Sequence, residues 1–172
     1  MNHRLTSHHK QPRLGVDIGR VIIHGDGPDT SFIGCSEEES LRAPAMDGAI
    51  EALTRLTEAY EGRVWLVSKC GTGVQKKSRA WLAHHRFFER TKIPEANLRF
   101  CKTRPEKAPI CEKLGITCFI DDRMDIHASM RGIVPVLLWF GESRAEDTRI
   151  WPAPTWREAE KQAREALDYD LR

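Results

Sequence analysis

Three apolar runs in this chain each end on a polar group: Val16-Asp17-Ile18-Gly19, Leu66-Val67-Ser68 and Phe119-Ile120-Asp121-Asp122. Short apolar runs separated by segments of helical spacing are the pattern of strands buried on both faces of a parallel sheet. In an open sheet of that kind the carboxyl ends of the strands converge on one crevice, so residues about a hundred positions apart can share a site. The predicted fold is α/β: a three-layer Rossmann-like parallel sheet with helices on both faces.

Along the chain, Arg13 to Ile23 reads as a strand that breaks into the turn-rich stretch His24 to Asp29. The segment from His24 to Pro44 has no clear period and is long enough to act as a flap over the site. Met46 to Tyr60 carries Ile50, Leu53, Leu56 and Tyr60 at helical spacing. Arg63 to Ser68 is a strand, Val74 to His85 a half-buried helix, Leu98 to Cys101 a strand, and Pro105 to Leu114 a helix stopped at Gly115. Ile116 to Ile120 is a buried strand, Asp125 to Arg131 a short helix, and Ile133 to Phe140 the last strand. Thr155-Trp156-Arg157-Glu158 matches a capping box opening a C-terminal helix.

The chain has 172 residues, 40% of them hydrophobic and 30% charged, and a net charge of +2. That suits one domain and gives no signal for polyanion binding. Met1 to Pro12 is polar and His-rich and is expected to be a disordered tail outside the fold. The domain itself is expected over 13–140, and 141–172 is expected to be a linker and a C-terminal helix packed on the same domain. Cys35, Cys70, Cys101, Cys111 and Cys118 are odd in number and form no Cys-x-x-Cys pair, so neither a disulfide framework nor a zinc site is signalled. A reducing cytoplasm fits that usage, and no apolar run is long enough to span a bilayer.

Phosphoryl transfer through an aspartyl-phosphate needs a carboxylate nucleophile, a divalent cation and fixed donors around the phosphate oxygens. Asp17 at a strand end can attack phosphorus. Ser68 can donate a hydrogen bond, Lys107 can supply positive charge, and Asp121 and Asp122 offer hard oxygen ligands for Mg²⁺. Lys69, next to Ser68, can add to phosphate binding. Lys102, Arg104 and Lys113 are alternatives to Lys107, and Asp125 serves either to orient Asp121 or Arg123 or to cap the helix that follows.

In this order the motifs resemble those of the haloacid dehalogenase-like superfamily over about Arg13 to Phe140. Its first motif is matched by Leu14-Gly15-Val16-Asp17-Ile18-Gly19 and its second by Val64-Trp65-Leu66-Val67-Ser68. Lys107 best matches the third, and Cys118-Phe119-Ile120-Asp121-Asp122-Arg123 the fourth. The resemblance implies a Mg²⁺-dependent phosphatase with Asp17 as nucleophile, Ser68 and Lys107 as catalytic phosphate ligands, and Asp17, the Gly19 carbonyl, Asp121 and Asp122 around the metal. It also implies an uncapped site, since the gaps after Asp17 and Ser68 are too short for a large inserted cap domain.

One departure matters more than the agreements. The family's second aspartate, the general acid that protonates the leaving group, falls on Gly19, which has no proton to give. The loss of general acid catalysis hits poor leaving groups hardest. Three readings follow: a hydrolase of acyl phosphates or related compounds, or one borrowing an acid from His24, Asp26 or Asp29; a slow phosphatase; or a binding or partner-interaction domain on the same fold.

The leading expectation is a Mg²⁺-dependent hydrolase of a phosphate monoester, acyl phosphate or related compound, with a phosphorylated small molecule or macromolecule as substrate. Taken singly, Asp17 also reads as a strand-end cap and Ser68 as a turn residue. His84-His85 and His8-His9 read as surface residues. Trp81, Phe87 and Phe88 beside Lys76, Lys77, Arg79, Arg86 and Arg90 read as core packing next to a solvated basic face, which leaves a nucleic-acid partner open without favouring it. Trp139, Trp151 and Trp156 read either as docking the C-terminal helix on the sheet or as a homodimer contact.

Overall fold

β1 (Leu14–Val16) is three residues long and lies at the centre of a six-stranded sheet in a computed structural model that describes residues 11–25 and 35–169. Its neighbours are β2 (Val64–Lys69) and β4 (Cys118–Asp121), with β3 (Leu98–Cys101) outside β2, and β5 (Val136–Phe140) and β6 (Ile150–Ala153) outside β4. The order is β3-β2-β1-β4-β5-β6 and every pairing is parallel. The direction of winding reverses at β1, where such sheets open a crevice beyond their strand ends.

Alternation along the strands sends side chains to two cores. Leu14, Val16, Leu66, Ile120 and Leu138 face one side, under α2 (Ala49–Ala59), α3 (Thr72–His84), α4 (Phe87–Thr91) and α7 (Trp156–Glu165). Val67, Phe119 and Leu137 face the other, under α5 (Lys107–Leu114) and α6 (Met124–Met130). α1 (Glu37–Leu41) is a single short helix before α2. Gly15 lies where a Cβ would come 2.8 Å from Phe119 Cε2, so the absence of a side chain lets that ring settle against β1.

Several expectations change in detail. The first strand stops at Val16, because the amides of Val21, Ile22 and Ile23 all turn back to the Ile18 carbonyl and fold the apolar residues after Gly19 into a buried turn. The stretch Gly141 to Pro154 is not only a linker: it contains β6, whose Pro152 is tolerated because the strand lies at the sheet edge. The capping box expected at Thr155 makes no side-chain bond to the helix backbone; Thr155 and Glu158 bond to each other instead. A complete box forms at Ser36, whose hydroxyl accepts from the Glu39 amide while the Glu39 carboxylate accepts from the Ser36 amide. α4, which also lacked a sequence signal, starts and ends on left-handed residues, Arg86 and Lys92.

α7 is anchored across the first core. Trp156 is buried and donates from Nε1 to the Val21 carbonyl at 2.7 Å, and the Tyr60 hydroxyl donates to the Ala163 carbonyl at 2.7 Å. Trp156 thereby pins the turn that follows Asp17. Trp81 and Phe87 are fully buried in the same core, as packing residues. Residues 1–10, with His8-His9, and residues 26–34, with Asp26 and Asp29, lie outside the described residues. Among the described residues no helix is long and apolar enough to cross a membrane.

Candidate active site

The Asp17 amide donates to the Ile120 carbonyl at 2.9 Å, carrying the β1–β4 pairing one residue past Val16 and bringing Asp17 level with Asp121. Lys107 begins α5 after a 3-10 turn over Arg104–Glu106 that contains Pro105. From that helix start its ammonium lies 2.9 Å from Asp17 Oδ1 and 2.7 Å from Asp121 Oδ2, and 5.5 Å from the centre of the Phe119 ring. Asp121 is wholly buried, and its second oxygen, Oδ1, accepts from the Arg123 amide at 2.9 Å. Asp122, the next residue, reaches Arg20 Nε at 3.3 Å.

One oxygen from each of Asp17, Asp121 and Asp122 lies within 4.8 Å of the other two. Three carboxylates so close, largely removed from water, cannot all be neutralised by one lysine and a partly exposed arginine. Burial raises Asp17 to about 6, with Lys107 opposing and Asp121 adding to the rise. Burial also raises Asp122 to about 6, with the charge of Asp17 adding and Arg20 opposing. Asp121 shifts upward too, chiefly through burial and against the pull of Lys107. For Lys107 burial works against the charge, but the carboxylates of Asp121 and Asp17 outweigh it and hold the ammonium protonated. The excess of negative charge and the hard oxygen donors fit a small divalent cation such as Mg²⁺.

These groups open into a cavity of about 100 Å³ whose lining includes Asp17, Gly19, Ser68, Lys69, Lys107 and Asp122. Ser68 is buried in β2 at the wall facing Asp17, and Cys70 and Gly71 continue that wall into α3. Gly71, the N-cap of α3, lines the cavity and makes no side-chain cap bond, an arrangement suited to an anion. Gly19 is bracketed by two backbone bonds, Ile23 amide to Ile18 carbonyl and Arg20 amide to Ile23 carbonyl, neither of which uses its own carbonyl. Arg20, in the left-handed region at φ 62°, turns back over the site. Burial raises the Cys70 thiol to about 11, so it sits in the wall as a thiol and not as a nucleophile.

The structure brings together all of the site residues expected from sequence: Asp17, Gly19, Ser68, Lys69, Lys107 and Asp122 at the cavity, and Asp121 directly behind Asp17. Of the alternatives to Lys107, Arg104 also lines the cavity, whereas Lys102 and Lys113 do not. Asp125 pairs with Arg123 at 3.1 Å and with Arg104 at 3.6 Å. His85 stacks on Trp81, with ring centres 4.2 Å apart. Among the described residues of the expected flap, none lines the cavity.

Two residues carried no recognisable signal. Arg20 follows Gly19 in what reads as a continuing strand, and only the left-handed turn swings it to Asp122. His127 is fully buried in α6, and its Nε2 lies 2.9 Å from the Asp121 carbonyl, which can only accept, so Nε2 carries the proton. Its Nδ1 has no partner, and burial lowers the imidazole to about 4. A neutral His127 thus ties α6 to the backbone of the acidic pair. A histidine one turn into the helix after Asp-Asp is the sole sequence trace of this contact.

No protein-family model matches the chain, and no curated protein matches it. Among solved structures it is similar to the D,D-heptose 1,7-bisphosphate phosphatase from Burkholderia thailandensis, with a TM-score of 0.52 and 13% sequence identity over 88% of this chain and 97% of that one. At that identity the likeness is one of fold. The six-stranded parallel sheet with helices on both faces is the α/β Rossmann-like fold expected from the sequence.

Proposed function

We propose that this chain is a Mg²⁺-dependent hydrolase of a phosphate monoester, acyl phosphate or related compound, working through Asp17 from an uncapped site. The observation that carries this reading is the placement of Asp17, Ser68, Lys107 and Asp122 around one cavity at the carboxyl ends of β1, β2 and β4, with Asp121 against Lys107. Asp17, the Gly19 carbonyl, Asp121 and Asp122 would hold the cation, Asp121 sharing oxygens already engaged by Lys107 and the Arg123 amide. When bound, Mg²⁺ supplies charge neutralisation for the phosphoryl oxygens and lets the Asp17 carboxylate approach them.

Asp17 attacks phosphorus and takes the phosphoryl group as an aspartyl-phosphate while the leaving oxygen departs with its electron pair. Ser68 donates to a phosphoryl oxygen, and Lys107 and Lys69 stabilise the charge that builds there. Water then cleaves the phosphorus–oxygen bond to Asp17, releasing phosphate. Gly19 cannot protonate the leaving group, so the proposed site favours leaving groups stable as anions, acyl phosphates above alkyl phosphates. The same glycine supports a second reading, a binding or partner-interaction domain that keeps the anion site without turnover.

A panel of alkyl, aryl and acyl phosphates, assayed with and without Mg²⁺ for wild type and Asp17→Asn, separates the two. The hydrolase reading expects Mg²⁺-dependent turnover that rises with leaving-group acidity and is lost in a folded Asp17→Asn. Absence of turnover across the panel, with phosphate still binding, would replace it with the binding domain.

A further inference from the structure

Arg20 lines the cavity and takes no part in the reaction above. Among the described residues, Arg20, Glu61, Arg86 and Lys92 lie in the left-handed region without being glycine, and of these only Arg20 lines the cavity. Glycine or asparagine occupies φ 62° at less cost than arginine, so the side chain has to account for this choice. The turn holds the residue firmly. The Arg20 amide donates to the Ile23 carbonyl at 2.8 Å, the Ile22 amide to the Ile18 carbonyl at 2.9 Å, and Trp156 Nε1 to the Val21 carbonyl at 2.7 Å. From it, Arg20 Nε comes within 3.3 Å of Asp122 Oδ2. That contact is looser than the 2.7 Å between Lys107 and Asp121, and the Arg20 side chain is 39% exposed where that of Lys107 is buried.

We propose that Arg20 is an anion ligand for the phosphoryl group of the substrate, held on Asp122 until a cation takes that carboxylate over. This rests on the reading of Asp17, Asp121 and Asp122 as the cation site. One oxygen of Asp122 stands within 4.8 Å of one from each of Asp17 and Asp121, so a cation bound there draws on the same carboxylate as Arg20. A divalent ion carries twice the charge of a guanidinium and sits among three carboxylates, whereas a partly exposed ion pair contributes little. Asp122 therefore passes to the cation at small cost. The guanidinium it gives up already lines the cavity.

The phosphoryl group has use for such a ligand. Lys107 directs two of its three N–H donors to Asp17 and Asp121, and Ser68 brings a single hydroxyl. A planar guanidinium can bind two phosphoryl oxygens at once, which a lysine cannot do. The hand-over also sets an order of binding. Without the cation, Asp122 occupies Arg20 and three carboxylates repel an incoming anion; with it, both obstacles are removed. Cation and phosphate then favour each other by the same factor, as linkage requires.

Titration calorimetry at pH 8 tests the hand-over, with Mg²⁺ alone and then with inorganic phosphate in saturating Mg²⁺, on wild type, Arg20→Gly and Arg20→Lys. Arg20→Gly keeps the turn, since glycine takes φ 62° without strain, and circular dichroism checks its fold. Removing the guanidinium should move the two ligands in opposite directions. Mg²⁺ should bind about two- to fivefold tighter, because nothing competes for Asp122. Phosphate should bind about tenfold or more weaker, as the loss of a charge-assisted contact predicts. Arg20→Lys, which keeps the charge without the planar fork, should fall between the other two for phosphate. A merely structural arginine predicts both ligands weakened together or neither changed, and either result overturns the proposal while leaving the Asp17 reading standing. Weaker phosphate with Mg²⁺ unchanged overturns the hand-over. Tighter Mg²⁺ with phosphate unchanged, or wild type that binds Mg²⁺ but no phosphate, overturns Arg20 as a ligand. Wild type that binds no Mg²⁺ overturns the cation site as well.

Discussion

Lys107 and Asp17 face each other at 2.9 Å with the lysine only 2% exposed, although 90 positions separate them in the chain. The pair joins the start of α5 to the end of β1, and Asp121 completes it at 2.7 Å. Replacing Lys107 with Met leaves two buried carboxylates facing each other without their cation. Removing one partner of a buried ion pair costs about 3–5 kcal/mol. Denaturant unfolding of metal-free Lys107→Met at pH 8 should show a loss of that order, and a smaller one at pH 5, where the carboxylates escape the penalty by taking up protons.

Acidity controls metal binding with a definite sign. Asp17 and Asp122 both sit at about 6 in the folded protein, above the ordinary carboxylate value. The metal-free fold therefore holds protons that the unfolded chain has released; this contribution to stability is fully present below about pH 4 and is lost as the pH rises through about 6. A cation must displace those protons. Mg²⁺ affinity should be constant well above pH 6 and weaken below it, by up to about tenfold per pH unit for each proton displaced. Mg²⁺ titrations from pH 5 to pH 8 measure this directly, and a flat profile would contradict the assignment of these carboxylates as ligands.

Gly15 sets the seat of Phe119, and through it the surroundings of Lys107. A Cβ at position 15 would stand 2.8 Å from Phe119 Cε2 and 3.2 Å from Ile116 Cγ2. Gly15→Ala should destabilise the fold by about 1–3 kcal/mol, the range for an overpacked core. Trimming the ring in Gly15→Ala/Phe119→Leu should cost less than the sum of the two single changes, because the smaller side chain gives the methyl group room. Additive losses in thermal unfolding would show that the ring and the glycine are not coupled.

Gly19→Asp tests what the site lacks. If the missing group is only a general acid, the variant should gain alkyl-phosphate hydrolysis by a factor approaching the about 10²–10⁴ that such catalysis contributes. Acyl-phosphate turnover should change far less, since its leaving group needs no proton. Equal effects on both substrates in a steady-state comparison would count against this role for position 19.

The apolar runs ending in Asp17, Ser68 and Asp121-Asp122 were legible because central parallel strands bury both faces and leave only their ends polar. Lys107 was harder to read: three other cations lie close to it in sequence, and what selects it is the 3-10 turn at Arg104–Glu106 that aims the first residue of α5 at Asp17. β6 escaped notice because four residues containing a proline look like a loop until an edge strand supplies their partner. The strand predicted through Ile23 failed for a related reason. Val21, Ile22 and Ile23 are as apolar as strand residues, but a left-handed Arg20 turns the chain inward, and apolarity alone does not separate a buried turn from a strand. Arg20 reaches the site through a contact 102 positions away that no local spacing encodes, and His127 reaches it through a backbone carbonyl six positions back, a contact that no motif marks.

In the proposed reaction the Asp17 carboxylate accepts a phosphoryl group next to a divalent cation. Beryllofluoride, which mimics a phosphoryl group on a carboxylate, tests it without requiring the natural substrate. Fluorine NMR of the protein with beryllofluoride should show bound resonances that need Mg²⁺ and vanish in a folded Asp17→Asn. Absence of bound resonances in the Mg²⁺-loaded wild type, or the same resonances in Asp17→Asn, would contradict Asp17 as the phosphoryl acceptor.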